Sequence, residues 1–379
     1  MKIAVIGIGG TGSAALLALA RQGHQVTGFE RFEIGHNRGS SHGASRIIRY
    51  AYADALYSQM MQKAFPMWEQ LCQTTGLDLL VRSGGITFAA SGNPVLVATE
   101  QALSATGVNH IIYDGRDAQK RFPMFKFDTK EQVIFHADAG FLRSSAIIHA
   151  NTELAKDAGA LVTSPVCITS IDTTGKRPLL TLDNGEQTLF DKVIVASGAY
   201  LDGLFPWLNL RLSVTRQQVT YAEVGAESYS TFAPTRMPVW IDAASNWYGI
   251  PRDSDTLGVK IARHHLGPIT DPLFGSRNVS EADTTDAISV AEARLNGLTG
   301  MAVYSETCLY TNTKNEDFLI DTLPGTKDVL IVSGCSGHGF KFTILLGAIA
   351  AEWAASGELP FNHQRFSLKV HSEDTLATQ

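Results

Sequence analysis

A glycine-rich turn between a short apolar strand and a helix constrains this chain more than any other stretch. Lys2–Ile6 reads as a strand buried on both faces. Gly7-Ile8-Gly9-Gly10-Thr11-Gly12 follows, then SAALLALARQG as a helix, then QVTGFE as a second strand ending at Glu30. In such a unit Gly7 makes the tight turn, Gly9 lets the backbone approach a pyrophosphate, and Gly12 lets helix and strand pack closely. The helix N-terminus adds N–H groups and a partial positive charge for the phosphates. Glu30 follows Gly12 by about 18 residues, where an acid can accept hydrogen bonds from an adenosine ribose. A dinucleotide site is therefore expected over residues 7–30. The same run, with Ala18-Leu19-Ala20, superficially resembles a secretory leader. Its glycines would break the apolar helix of a leader, and a single lysine precedes it, so no leader is expected.

With 379 residues, 44% of them apolar, the chain is long enough for two domains. The net charge of −6 carries no long run of either sign, so neither nucleic acid nor an anionic membrane surface is an expected partner. No apolar stretch reaches the roughly 18 residues of a membrane span. Cys72, Cys167, Cys308 and Cys335 show neither a disulfide framework nor metal-ligand spacing. A reduced, cytoplasmic setting with no metal site is expected. Asn278-Val279-Ser280 fits the glycosylation triplet, which without a leader is chance.

Strand and helix patterns alternate at the start, middle and end of the chain. Residues 57–76 read as an amphipathic helix, 80–90 as a strand around a glycine pair, and 145–159 as a helix that Gly159 can end. LLTLDNGEQTLF reads as a hairpin on an Asn-Gly turn. Residues 210–320 have the short alternating strands and proline turns of an antiparallel sheet. DVLIVSGCSGHGFKFTILLGAIAAEWAA is a strand, a glycine turn and a long apolar helix, and the polar tail from Val370 is expected to fray. The expected fold is α/β, a discontinuous Rossmann-like nucleotide domain plus an α+β domain with a mainly antiparallel sheet. A second helix N-terminus near the cofactor could stabilise charge on a reduced isoalloxazine ring, which tilts the cofactor from nicotinamide toward flavin.

Several segments could carry chemistry. In GSSHGASRIIRYAY, Arg46 and Arg49 stand three apart in a small, apolar stretch. They are either structural ion-pair partners or planar forks for a carboxylate. Lys341, in SGHGFKF, either snorkels outward or faces a ligand anion. Lys260 and His264 would share one strand face, lining a cavity or facing solvent. Cys308 is either an inert core residue or chemically engaged.

Taken together, the opening unit, GSSHGASRIIRYAY, the YGIP and VKIARH strands, CLYTNTKNEDFLIDTLPG and SGHGFKF resemble, in the same order over nearly the whole chain, the monomeric sarcosine oxidase and N-methyltryptophan oxidase family. These are flavin-dependent amine oxidases with a D-amino-acid-oxidase-like FAD fold. The resemblance implies an FAD-binding domain of residues 1–82, 143–212 and 316–379. It implies a substrate domain of residues 83–142 and 213–315. Cys308 would bond covalently to the flavin, Arg46 would lie over its face, and Lys260 would activate O2. Arg49 and Lys341 would hold the substrate carboxylate, with Gly337, Tyr248 and His264 bordering the substrate. Gly7, Gly9, Gly12, Glu30, Arg31, His42, Ser45, Gly337 and Gly339 would join Arg46, Cys308 and Lys341 around the FAD. The expected partners are a small amino acid and O2, with the protein a monomer.

Where family members commonly read H-H-G-D-T-R, this chain has Ser41-His42-Gly43-Ala44-Ser45-Arg46, and Asn246-Trp247 precede Tyr248. These departures bear on the substrate and leave flavin chemistry intact. The implied reaction is oxidation of a secondary amino acid at its C–N bond to an imine that hydrolyses, with O2 reduced to hydrogen peroxide. Alternatives are oxidation of a cyclic imino acid such as pipecolate, oxidation of a glycated amine, an NAD(P)-dependent dehydrogenase, or a flavin-binding sensor.

Overall fold

The computed structural model describes residues 1–254, 256–265, 267–362 and 364–372. Lys2–Ile6, whose last four residues are buried, lies inside a six-stranded sheet. The strand order is Leu319–Thr322, Val329–Ser333, Lys192–Val195, Lys2–Ile6, Gln25–Phe29, Leu161–Thr163. Neighbours are parallel except in the hairpin of Leu319–Thr322 with Val329–Ser333. Three separate stretches of chain thus build one sheet around the opening strand, which needs its apolar run because both faces are covered. Ile3 and Val5 pack on one side with Leu16, Leu19 and Leu346, and Ala4 and Ile6 on the other with Leu180, Val193 and Phe205.

Helix Gly10–Arg21 packs against helix Thr343–Ser356, which is apolar nearly all round and buried accordingly. The backbones approach at Gly347, where a Cβ would lie 2.6 Å from the carbonyl carbon of Ala14. Each helix follows a strand of the six-stranded sheet through a glycine turn, so both N-termini lie at one edge of that sheet.

The second large sheet has eight strands. Its order is Leu298–Asn312, Ser213–Val224, Gly258–Arg263, Trp247–Ile250, Val239–Asp242, Gly85–Ala90, Glu131–His136, Ile111–Asp114. It is antiparallel apart from the pairing of Val239–Asp242 with Gly85–Ala90. Leu298–Asn312 and Ser213–Val224 pair from Asn312 opposite Ser213 to Leu298 opposite Val224, which sets Cys308 opposite Gln217. A three-stranded sheet of Arg46–Ile48, Gly140–Leu142 and Leu80–Arg82 positions the arginine segment.

Three sequence expectations are corrected. Residues 80–90 are two strands in different sheets, broken at Gly84, whose φ of +73° leaves no room for a Cβ beside Phe135. Residues 210–320 also hold the helix Glu281–Arg294, capped by Ser280, whose side chain accepts a hydrogen bond from Asp283 N. Its weak amphipathic pattern (Ala287, Ile288 and Ala291 are the buried positions) hid it among strands. The tail does not fray at Val370: helix Leu368–His371 includes it, His371 is buried and donates to Phe318 O at 3.1 Å, and Ser372 bridges to Leu210. The rest of that tail, 373–379, lies outside the described residues. No helix among those described is long and apolar enough to cross a membrane.

Candidate active site

One deep cleft, about 1380 Å³ including its open mouth, runs along the edge where the two helices begin. Residues 7–11, Glu30, Arg31, His42, Arg46, Ser197, Tyr310, Thr311, Gly337 and Gly339 are among those lining it. Gly7 takes φ +87° and its N–H donates to Phe29 O at 2.8 Å, tying the turn to the neighbouring strand. Gly12 faces that turn so closely that a Cβ would sit 1.7 Å from Gly7 O. Gly9 is the N-cap and has no side chain to satisfy the first amides, although Gly10 N donates to Ser41 Oγ at 3.1 Å. Such a helix start favours a bound anion.

The Glu30 carboxylate accepts from Ile8 N at 2.8 Å and Phe32 N at 3.1 Å, with His36 Nε2 at 3.3 Å. Burial alone would raise its pKa, but the hydrogen bonds from His36 and the two amides outweigh it, so the group lies below its usual value. Oε2, which accepts from Ile8 N alone, keeps a lone pair for a further donor such as a ribose hydroxyl. Arg31 stacks over the Tyr200 ring at 5.4 Å.

The arginine segment forms a cation nest. Arg46 donates from Nη1 to Ser45 O at 2.8 Å and from Nη2 to Ser40 O at 2.8 Å and His42 O at 2.6 Å. Lys260 Nζ donates to the same Ser45 O at 2.8 Å, so two cations converge on one carbonyl. Burial, then the charge of Arg46, lowers the Lys260 pKa to about 7. Cys308 is buried beside this pair, and burial raises its thiol pKa while Arg46 and Lys260 pull it down. His42 is held neutral, near pKa 4, by burial and by Arg46. Its Nε2 therefore donates to Thr307 O at 3.0 Å, and the buried Nδ1 is a bare acceptor.

A second cation pair flanks Tyr52. The Arg49 guanidinium lies 4.4 Å from the ring centre and Lys341 Nζ 5.4 Å. Lys341 Nζ donates to Tyr52 OH at 2.8 Å and His338 O at 2.7 Å. His338 Nε2 faces Glu316 O at 2.9 Å, so it carries the proton and leaves Nδ1 to accept from Tyr52 OH at 3.3 Å. Burial, then the charge of Arg49, holds Lys341 well below its ordinary pKa. Among the described residues no carboxylate pairs with Arg49 or Lys341. Two confined like charges without an anion form a site that an incoming carboxylate would relieve.

Tyr248 neighbours Arg46, Cys308 and Tyr310. Lys260 and His264 part company where the strand ends at Arg263: Lys260 turns to Ser45 O, whereas His264 meets Tyr310 at 5.8 Å and Glu316 Oε2 at 3.8 Å. Gly12, Ser45, Cys308 and Lys341 are not among the residues that line the cleft. Gly337 has φ +77°, and a Cβ there would enter the Tyr310 ring at 2.1 Å; one at Gly339 would meet Cys335 Cβ at 2.4 Å. Tyr52, Tyr310 and Thr311 were given no role from sequence, although they sit inside motifs that were singled out. Ser41 was named only as a departure from the family pattern, and Ser197 gave no signal, since only the fold brings it to the cleft.

A large, partly apolar group fits this cleft. Ser197 Oγ and Thr311 Oγ1 both line it, shielded from solvent and without a hydrogen-bond partner, as expected of groups awaiting a polar ligand.

The pattern of the FAD dependent oxidoreductase family matches residues 2–353. The N-methyl-L-tryptophan oxidase of Escherichia coli O157:H7 is 31% identical over 373 residues, covering 96% of this chain and 97% of its own. The monomeric sarcosine oxidase of Bacillus sp. (strain B-0618) is 30% identical over 374 residues, covering 97% and 95%. Among solved structures, the open form of NikD, an amino acid oxidase of nikkomycin biosynthesis, superposes with a TM-score of 0.83 at 20% identity over 96% of both chains. This chain belongs to the FAD dependent oxidoreductase family.

Proposed function

We propose that this protein is an FAD-dependent oxidase of secondary amino acids, of the sarcosine or N-methyl amino acid type. In this reading Cys308 carries the flavin covalently and O2 is the electron acceptor. The FAD would be held by residues 1–82, 143–212 and 316–379, and the substrate by residues 83–142 and 213–315. The observation that carries the reading is the pair Arg49 and Lys341, one over the Tyr52 ring and the other at its hydroxyl, with no carboxylate of their own among the described residues, beside a dinucleotide cleft.

The residues divide the work as follows. The turn at Gly7 and Gly9 and the helix start would hold the pyrophosphate, and Glu30 the ribose. Arg49 and Lys341 would clamp the substrate carboxylate, while the chain from Lys341 through Tyr52 to His338 keeps the ammonium aimed. The same two cations lower the pKa of the substrate amine by like-charge repulsion, favouring the neutral amine that can be oxidised. Bound FAD supplies a two-electron sink for the C–N bond and returns those electrons to O2 as hydrogen peroxide. Water hydrolyses the resulting imine, so an N-methyl substrate yields the primary amino acid and formaldehyde. Lys260, fixed on Ser45 O beside Arg46, would place positive charge where reduced oxygen develops negative charge.

A panel of N-methyl, cyclic and glycated amino acids scored by peroxide release tests the reading. Peroxide with N-methyl amino acids supports it; peroxide only with cyclic or glycated amines moves the substrate class, since those would use the same clamp. No peroxide with any of them overturns it.

A further inference from the structure

A second cavity of about 950 Å³, measured with its open mouth, lies on the other side of His42. Asn37, Arg38, His42, Arg277, Glu306 and Thr307 are among its lining residues, and His42 lines the FAD cleft as well. Glu306 is the carboxylate among its lining residues. The site described above uses Lys260, Arg46 and Cys308 but assigns Glu306 no task.

Three features fix the position of Glu306. It stands two residues before Cys308 on Leu298–Asn312, so both side chains fall on one face of the strand. Tyr221 OH donates to its Oε1 at 3.3 Å. Gly43, at φ +93°, yields it space: the point where a Gly43 Cβ would sit is 2.9 Å from Glu306 Oε1 and 3.5 Å from Arg46 Nη1. One carboxylate thus abuts the loop whose next carbonyl but one, Ser45 O, receives both Arg46 and Lys260.

The surroundings of Lys260 name the charges that matter. Arg46 comes from the three-stranded sheet, His42 from the loop before it, and Glu306 and Cys308 from Leu298–Asn312. Tyr221 comes from Ser213–Val224, its ring centre 5.9 Å from Lys260 Nζ. Tyr248, on Trp247–Ile250, neighbours Arg46 and Cys308. Arg46 is a fixed cation, His42 is neutral, and burial raises the Tyr221, Tyr248 and Cys308 pKa values above their usual range. Glu306 is the carboxylate acting on Lys260, and its charge opposes the burial and the Arg46 repulsion that push the lysine toward neutrality.

We propose that Glu306 is a positioning residue that keeps Lys260 an ammonium. The coupling between the two side chains stands by itself; its consequence for O2 rests on the function proposed above.

The test is a double-mutant cycle on the holoprotein: wild type, Glu306→Gln, Lys260→Met and the double variant. Both substitutions conserve volume. The first readout needs no turnover, the pH dependence of thermal unfolding. A lysine whose folded-state pKa is depressed binds fewer protons folded than unfolded, so its contribution to stability rises with pH between the folded pKa and the unfolded value. In Glu306→Gln the start of that rise should move down by about one pH unit or more, the scale of an opposite charge at close range. The shift should vanish in the Lys260→Met background. The same shift in both backgrounds, or none in either, overturns the proposal. The second readout is reoxidation of reduced flavin by O2 across pH, which should lose its rate at lower pH in Glu306→Gln. An unfolding shift that depends on Lys260, with reoxidation unchanged, upholds the Glu306–Lys260 coupling and removes Lys260 from the O2 reaction.

Discussion

Removing the positive charge of Arg49 should cost this protein more affinity for a carboxylate than removing that of Lys341, although both flank the same ring. Among the described residues Arg49 makes no hydrogen bond or ion pair, so its planar fork is uncommitted. Lys341 already gives two of its three N–H groups to Tyr52 OH and His338 O. Hydrogen bonds to charged groups contribute about 1.5–3 kcal/mol each. Arg49→Ala should therefore fall near the upper end, a loss of roughly 100-fold in Kd, and Lys341→Ala near the lower end, roughly tenfold. The assay is a spectral titration of the oxidised flavin with a carboxylate that lacks an oxidisable amine, using its carboxamide as the uncharged control. Arg49→Lys should recover only part of the loss, because an ammonium cannot match the bidentate fork. Unchanged Kd in both alanine variants, or equal binding of acid and amide by the wild type, would refute the clamp.

Three further outcomes follow from the packing and from the proposed function. Gly12→Ala drives a Cβ to 1.7 Å from Gly7 O, so the turn must move; a stability loss of about 1–3 kcal/mol and release of FAD on gel filtration are expected, and retention of full flavin content would contradict the packing role. Flavin should stay with the protein after acid precipitation, and Cys308→Ser should release it into the supernatant; free extraction from the wild type would exclude the thioether. Lys260→Met should slow reoxidation of reduced flavin by O2 far more than its anaerobic reduction by substrate, as stopped-flow of both half-reactions can show. In the wild type that reoxidation should weaken as pH rises through the Lys260 pKa, since the ammonium is the form that helps; a rate that increases there would argue against the assignment.

The nucleotide unit was legible because its chemistry is local. A turn that needs φ of +87° at Gly7, and a helix that tolerates no Cβ at Gly12, leave marks in neighbouring residues. The long apolar helix Thr343–Ser356 was equally plain, since burial nearly all round leaves few polar residues on it. The helix Glu281–Arg294 was not, because it buries only a narrow stripe and its polar faces blend with the surrounding turns. The site is legible only in pieces. Arg46 stands more than two hundred residues before Lys260 and Cys308, and those two meet because the strands Gly258–Arg263 and Leu298–Asn312 both pair at a fixed register with Ser213–Val224. The ordering of Lys341 by Tyr52 and His338 depends on a contact across nearly three hundred residues, which no spacing rule reports.

The most direct measurement of the central claim is anaerobic mixing of the purified yellow protein with an N-methyl amino acid, followed by admission of oxygen. The account predicts that the visible flavin band bleaches without oxygen and returns with it. Hydrogen peroxide and formaldehyde should then appear in equal amounts. A band that bleaches with a reduced nicotinamide cofactor, and with no secondary amino acid, would contradict it.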